Sequence, residues 1–306
     1  MAFTVDSTTD EVVEGLDLSN IVAIITGASG GLGAETARAL ASKGATVVLV
    51  ARNSKKLADK AEALKQLTGN DKIHTQIMDL MDLESVRQAS TELLTRFPAV
   101  NLLINNAGIM ACPLARTVQG FESQIGVNHI AHFVFTQALL PALKGNAPAR
   151  VVTLTSAAHK LADVNLADIN WEAREYEKWA AYGEAKTANA LFSTALQASL
   201  KGTGVTSNCV HPGVIMTDLA RSLTEQDFAA IVDPNMTIKS VAAGAATTVW
   251  AAVSPQLEGR GGMYLEDCQP GVEMAGDNML AGYSAYALDL ESAEKLWQKT
   301  QQLIRT

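Results

Sequence analysis

Apolar runs and amphipathic stretches alternate along most of the chain. The run "IVAIIT" (21–26) is apolar and largely β-branched. The stretch "GLGAETARALASKG" (31–44) then sets alanine and leucine at helical spacing and stops on a glycine. The pair recurs as "TVVLVA" (46–51) with "KKLADKAEALKQL" (55–67), and as "KIHTQIM" (72–78) with "LESVRQASTELLTRF" (83–97). It recurs again as "NLLIN" (101–105) with a long helix over 121–143, and as "RVVTLTS" (150–156) with a helix over 178–200. A strand at 205–211, a helix near 239–252, a short strand near 262–265 and a tail helix near 291–303 complete the series.

Strands that are apolar throughout, each followed by a helix, predict an α/β fold whose parallel sheet is covered on both faces. Right-handed crossovers make it a doubly wound, Rossmann-type sheet. No linker, repeat or low-complexity stretch divides residues 1–306, so a single domain is expected. Residues 1–18 form an N-terminal extension and 266–306 a C-terminal tail. The long segments 157–177 and 213–236 follow carboxyl ends of strands, where this architecture builds its sites, and are expected on the substrate side.

Composition narrows the class. Apolar residues are 48% of the chain and aromatics only 5%, which gives an aliphatic core. The net charge of −8, with no basic face, excludes nonspecific nucleic-acid binding. Cys112, Cys209 and Cys268 are far apart, and no Cys-x-x-Cys or Cys/His cluster occurs. A structural zinc, a disulfide framework or another metal site is therefore not expected; His129 and His132 are three residues apart but lack further ligands. A reducing, cytoplasmic location fits. The N-terminus "MAFTVDSTTDEVVEGLDLSN" is acidic and lacks a signal-peptide core, and the greasiest segment, 130–143, is interrupted by His132, Gln137 and Pro141. No membrane anchor is expected.

Two stretches carry candidate chemistry. "TGASGGLG" (26–33) joins the first strand to the first helix, with Thr26, Gly27, Gly31 and Gly33 in a T-G-x-x-x-G-x-G spacing. Such a turn lets the backbone approach a pyrophosphate at a helix N-terminus; a tight turn without ligand is the plainer alternative. "EYEKWAAYGEAK" (175–186) holds two tyrosines. Lys186 lies four residues after Tyr182, one helical turn on, whereas Tyr176 has no such partner. A cation beside a phenol favours the phenolate, so Lys186 is expected to lower the Tyr182 pKa. Taken singly, Tyr182–Lys186 reads equally as a surface pair, Ser156 as a cap and Asn128 as a solvated helical residue.

Joint occurrence changes that reading. The turn, "NNAG" (105–108), Asn128 in "GVNHIAHF", Ser156 in "TLTSAAH", "YGEAK" (182–186) and "HPGVIMTDL" (211–219) follow in order. Over about residues 18–265 the chain resembles the short-chain dehydrogenase/reductase family, and its details resemble the retinol-dehydrogenase-like branch. The resemblance implies a catalytic tetrad. Tyr182 would be the acid–base, Lys186 its tuner and the holder of the nicotinamide ribose, and Ser156 the group that positions the substrate oxygen. Asn128 would hold a water in a proton relay. It also implies a cofactor cradle of Thr26, Gly27, Ser29, Gly31, Leu32 and Gly33. Asp79 and Leu80 would meet the adenine, Asn106, Ala107 and Gly108 the adenosine ribose, and Pro212, Gly213, Ile215 and Thr217 the nicotinamide side.

At the end of the second strand, an acid would mark the non-phosphorylated cofactor. Ala51 stands there, followed by Arg52, whose planar guanidinium suits a 2′-phosphate. This favours NADP(H) and leaves NAD(H) open; a solvated loop arginine is the alternative. Ser156 and Tyr182 are 26 residues apart, farther than in compact family members. The added residues include Trp171, Tyr176 and Trp179, expected as an apolar substrate wall or as a flap packed on the body. The expected activity interconverts an alcohol and a ketone or aldehyde on a fairly apolar small molecule. Reduction of an activated C=C bond, or cofactor sensing without catalysis, are the rivals. The family resemblance also suggests homo-oligomers paired through 178–200 and 239–252.

Overall fold

Period-two burial along the strands splits their side chains between two cores. The strands are β1 (Val22–Thr26), β2 (Thr46–Ala51), β3 (Ile73–Ile77), β4 (Leu102–Asn105), β5 (Ala149–Leu154), β6 (Val205–Val210), β7 (Tyr264–Glu266) and β8 (Gln269–Pro270). They form one eight-stranded sheet in the order β3-β2-β1-β4-β5-β6-β7-β8, parallel except for β7–β8. The computed structural model describes residues 3–225, 227, 237–274 and 281–305. Its helices are α1 (Thr9–Val13), α2 (Gly31–Ala41), α3 (Ser54–Thr68), α4 (Leu83–Arg96), α5 (Ser123–Ile125), α6 (Ala131–Lys144), α7 (Lys178–Ser199), α8 (Val241–Val253) and α9 (Leu290–Leu303).

Ile24, Val48 and Leu103 face a core shared with Val86 and Leu93 of α4, Phe133 and Leu139 of α6, Leu191 of α7 and Leu296 of α9. Ile25, Leu49 and Ile104 face the opposite core, with Leu40 of α2, Leu57 of α3 and Val249 of α8. Each such side chain stabilises the fold by roughly 1.5–3 kcal/mol on burial. The strand order turns back between β1 and β4, and the crevice at that switch point receives the ends of both strands.

Four features differ from the sequence pattern. The β7–β8 hairpin is new. Its turn residues Asp267 and Cys268 have φ of 48° and 56°, a primed-turn geometry reached without the usual Asn-Gly signal. The long helix expected from 121 starts at Ser123, capped by the Glu122 carboxylate, and contains a π segment at Gly126–Ile130. Within the N-terminal extension, α1 is held on α2 by Arg38, which pairs with Asp10 at 2.7 Å and Glu35 at 2.8 Å. In the tail, Trp297 of α9 packs on Phe133 at 4.7 Å and stacks on Phe192 at 6.0 Å, so this chain covers that face of its own α7.

Parts of three expected segments, residues 1 and 2 of the N-terminal extension, 226 and 228–236 of the 213–236 loop, and 275–280 and 306 of the tail, lie outside the described residues. Among the described residues no helix is long and apolar enough to cross a membrane.

Candidate active site

The glycine turn is fastened to β2 and β4. Gly27 donates its N–H to the Val50 carbonyl at 2.8 Å and has φ of 69°. At Gly33 a Cβ would stand 2.5 Å from Asn106 Nδ2 and 2.6 Å from the Gly27 oxygen, so only glycine fits. Helix α2 starts just after Gly30 with no side-chain cap and no acid in its first turn. Its first N–H groups and positive dipole end therefore face the turn without a protein anion, which fits a pyrophosphate. The loop after β6 lies over this start. Thr217 approaches Gly31, and Leu32 and Ile215 both pack toward Gly244. Pro212 and Gly213 are half-buried in the same loop, as is Ser29 in the turn.

The Thr26 hydroxyl is taken up by neighbours within the protein. It accepts the N–H groups of Asn106 at 2.9 Å and Ala107 at 3.0 Å, and it contacts His132 Nε2 at 2.9 Å. It ties β1 to the Asn106–Gly108 stretch rather than pointing outward. Arg52 is exposed just past β2 and makes no ion pair among the described residues. Asp79 accepts the Met81 N–H at 2.9 Å, shaping its own loop, while the Leu80 side chain is buried.

The tetrad residues converge at the carboxyl ends of β4 and β5. Asn128 sits inside the π segment, wholly buried. Its Oδ1 accepts the Ile109 N–H at 2.9 Å and its Nδ2 donates to the Ile109 carbonyl at 3.0 Å. Gly108 fills the gap beside it: a Cβ there would be 3.1 Å from Asn128 Oδ1 and 3.6 Å from Lys186 Nζ. Lys186 Nζ donates to the Leu154 carbonyl at 3.2 Å, which also accepts from Asn189 Nδ2 at 2.9 Å. Thr155 Oγ1 donates to the Lys186 carbonyl at 2.7 Å, stitching α7 to the end of β5. Burial pushes the Lys186 ammonium down to about 8.

Tyr182 is buried on α7, with the Ser156 side chain as its polar neighbour. Burial pushes its phenol up to about 12, with the Ser156 hydroxyl opposing. The expected lowering by Lys186 is thus reversed. Lys186 Nζ lies over the Tyr182 ring, 5.6 Å from its centre, and is bound to a carbonyl, and desolvation wins. Ser156 also caps the 3-10 turn Ala157–Leu161, accepting the Ala158 N–H at 3.2 Å.

Of the three aromatics in the long insertion, one reaches the tetrad. Trp179 meets the Tyr182 ring edge-on at 6.3 Å. Trp171 is buried beneath the Arg174 guanidinium, 3.4 Å above its ring, and Arg174 forks onto Glu184 at 2.5 and 2.7 Å. Tyr176 donates toward Glu122 Oε1 at 3.0 Å and the Cys112 carbonyl at 3.1 Å. Trp171 and Tyr176 therefore anchor the insertion to the body, and the expectation of an aromatic wall narrows to Trp179. The sequence reading missed His132, Gly183 and Asn189. A signal existed for His132, which lies one helical turn after Asn128.

Residues 21–227 match the short chain dehydrogenase family. The chain is 38% identical to the short-chain dehydrogenase/reductase prx1 of Penicillium roqueforti, over 92% of this chain and 84% of that protein. It is 37% identical to human retinol dehydrogenase 12, over 94% and 88%. A crystal structure of an uncharacterized protein from Mycobacterium paratuberculosis superposes with a TM-score of 0.76 at 34% identity, covering 98% of both chains. A short chain dehydrogenase from Shigella flexneri, complexed with NADP, superposes with a TM-score of 0.63 at 25% identity, over 82% of this chain and 98% of that one. The chain belongs to the short-chain dehydrogenase/reductase family of oxidoreductases, in its retinol-dehydrogenase-like branch.

Proposed function

We propose that the protein interconverts an alcohol and a ketone or aldehyde on a fairly apolar small molecule, with NADP(H) preferred over NAD(H). The observation that carries this reading is a buried Tyr182 beside Ser156, with Lys186 one turn on and its Nζ 5.6 Å from the centre of the tyrosine ring. The nicotinamide, when bound, supplies or accepts the hydride. Tyr182, kept protonated by burial, gives its proton to the carbonyl oxygen, which suits the reducing direction near neutral pH. Ser156 donates to the same oxygen and stabilises its developing charge. Lys186, held at about 8, gives and takes a proton close to neutrality and so can restore the proton that Tyr182 gives up. Trp179 supplies an apolar edge beside the reacting group.

Cofactor preference rests on Arg52, exposed and unpaired among the described residues at the end of β2, and on the NADP held by the Shigella flexneri relative. Cys209 and Cys268, buried with no disulfide between them, support a reducing compartment such as the cytoplasm. The test is loss of reduced-nicotinamide absorbance with NADPH or NADH and a panel of apolar ketones and aldehydes, with product analysis. Faster NADPH use with alcohol products is expected. Saturation of C=C bonds alone, or no consumption with any carbonyl, contradicts the proposal.

A further inference from the structure

His132 is enclosed on α6, and its two ring nitrogens meet different parts of the site. Nδ1 lies 3.0 Å from the Asn128 carbonyl and Nε2 2.9 Å from Thr26 Oγ1. A carbonyl only accepts, so Nδ1 carries the proton. The neutral ring then only accepts at Nε2, and Thr26 must donate to it. Thr26 has one proton and two lone pairs, and its lone pairs take the N–H groups of Asn106 and Ala107. The Ile104 carbonyl, 3.4 Å from Thr26 Oγ1, is a second acceptor for that proton, and Nε2 at 2.9 Å is the nearer one.

The bonds close a ring. From Thr26 it runs through Asn106 and Ala107 along the backbone to Ile109, and from Ile109 to the Asn128 side chain. From the Asn128 carbonyl it returns through His132 to Thr26. Burial pushes the imidazole down to about 4, with the Lys186 charge acting the same way, so the ring is neutral through the physiological range. His129, three residues back, turns away and meets Thr300 Oγ1 at 2.8 Å.

We propose that His132 is a positioning residue that locks the π segment carrying Asn128 to the turn carrying Gly27–Gly33. The lysine side and the cofactor side of the site are thereby held in one register. This rests on the oxidoreductase reading, in which both sides are working parts.

Asparagine and glutamine each reproduce half of the link. In His132→Asn the amide nitrogen stands near the Nδ1 position and keeps the bond to Asn128. In His132→Gln the longer amide reaches the Nε2 position and keeps the bond to Thr26. His132→Asn is expected to weaken NADPH binding about fivefold or more with kcat within about threefold. His132→Gln is expected to lower kcat about tenfold or more with NADPH affinity within about threefold. Equal effects of both variants on both quantities, or no effect, overturn the proposal.

If either variant does not fold, ¹⁵N NMR of the wild-type imidazole decides. Protonated Nδ1 with bare Nε2 is expected between about pH 5.5 and 9; a protonated Nε2 overturns the proposal. Binding and NMR need no turnover. Failure of the oxidoreductase reading, a wild-type chain inert toward every carbonyl, is thus distinguishable.

Discussion

Gly183 lies directly under the Ala158 carbonyl: a Cβ at 183 would stand 2.9 Å from that oxygen and 3.0 Å from Leu161 Cβ. The residue after Tyr182 thus lets the turn capped by Ser156 settle onto α7, which brings the serine to the tyrosine. Gly183→Ala is expected to push the turn away and lower kcat about tenfold or more, near 1.4 kcal/mol of barrier, with NADPH affinity little changed. Steady-state kinetics with a cofactor titration checks it.

The insertion separates anchoring from substrate contact. Tyr176→Phe removes a partner from Glu122, which is wholly buried and whose carboxyl is pushed up by that burial. The expected cost is about 1–2 kcal/mol in stability with kcat nearly unchanged, measured by denaturant melts and kinetics. Trp179→Ala removes the ring beside Tyr182 and is expected to raise KM for apolar substrates more than it lowers stability.

How much of this was legible in the sequence follows from which forces act locally. The apolar period placed seven strands and the main helices to within a few residues, because burial of one face is a local signal. The hairpin at Asp267–Cys268 was silent because its two positive-φ residues carry no Asn-Gly or Asp-Gly signal. The π segment was silent because residues 121–136 are all buried, so no apolar period marks a shift of register there. The tetrad was readable only through the joint order of its motifs. That Tyr182 would be pushed up rather than down depends on desolvation, which spacing along a helix does not report.

Arg52 should decide the cofactor. A charge-assisted bond to a phosphate contributes about 1.5–3 kcal/mol, so Arg52→Ala is expected to raise the NADPH KM about tenfold or more while leaving NADH nearly unchanged. Parallel kinetics with both cofactors is the check. An equal loss for both assigns Arg52 to the loop's structure instead.

Lys186 should leave a signature in stability against pH. Its folded value is about 8 against an ordinary 10.5, so folding costs free energy wherever the unfolded lysine is charged. Between those values the unfolded chain binds more protons, and stability from this group rises with pH. Below about 8 the cost is present in full. Lys186→Met is therefore expected to gain on the wild type near about pH 7, and to lose about 2–3 kcal/mol of that advantage by about pH 10. Denaturant melts of both proteins at the two pH values measure it.

Tyr182→Phe tests the central claim most directly, because it removes one oxygen and keeps the buried ring. Turnover and NADPH affinity are to be measured on the same folded preparation. A fall in kcat of about a thousandfold or more, with NADPH affinity within about threefold, is the predicted result. Turnover equal to that of the wild type would contradict the assignment of Tyr182 as the proton donor.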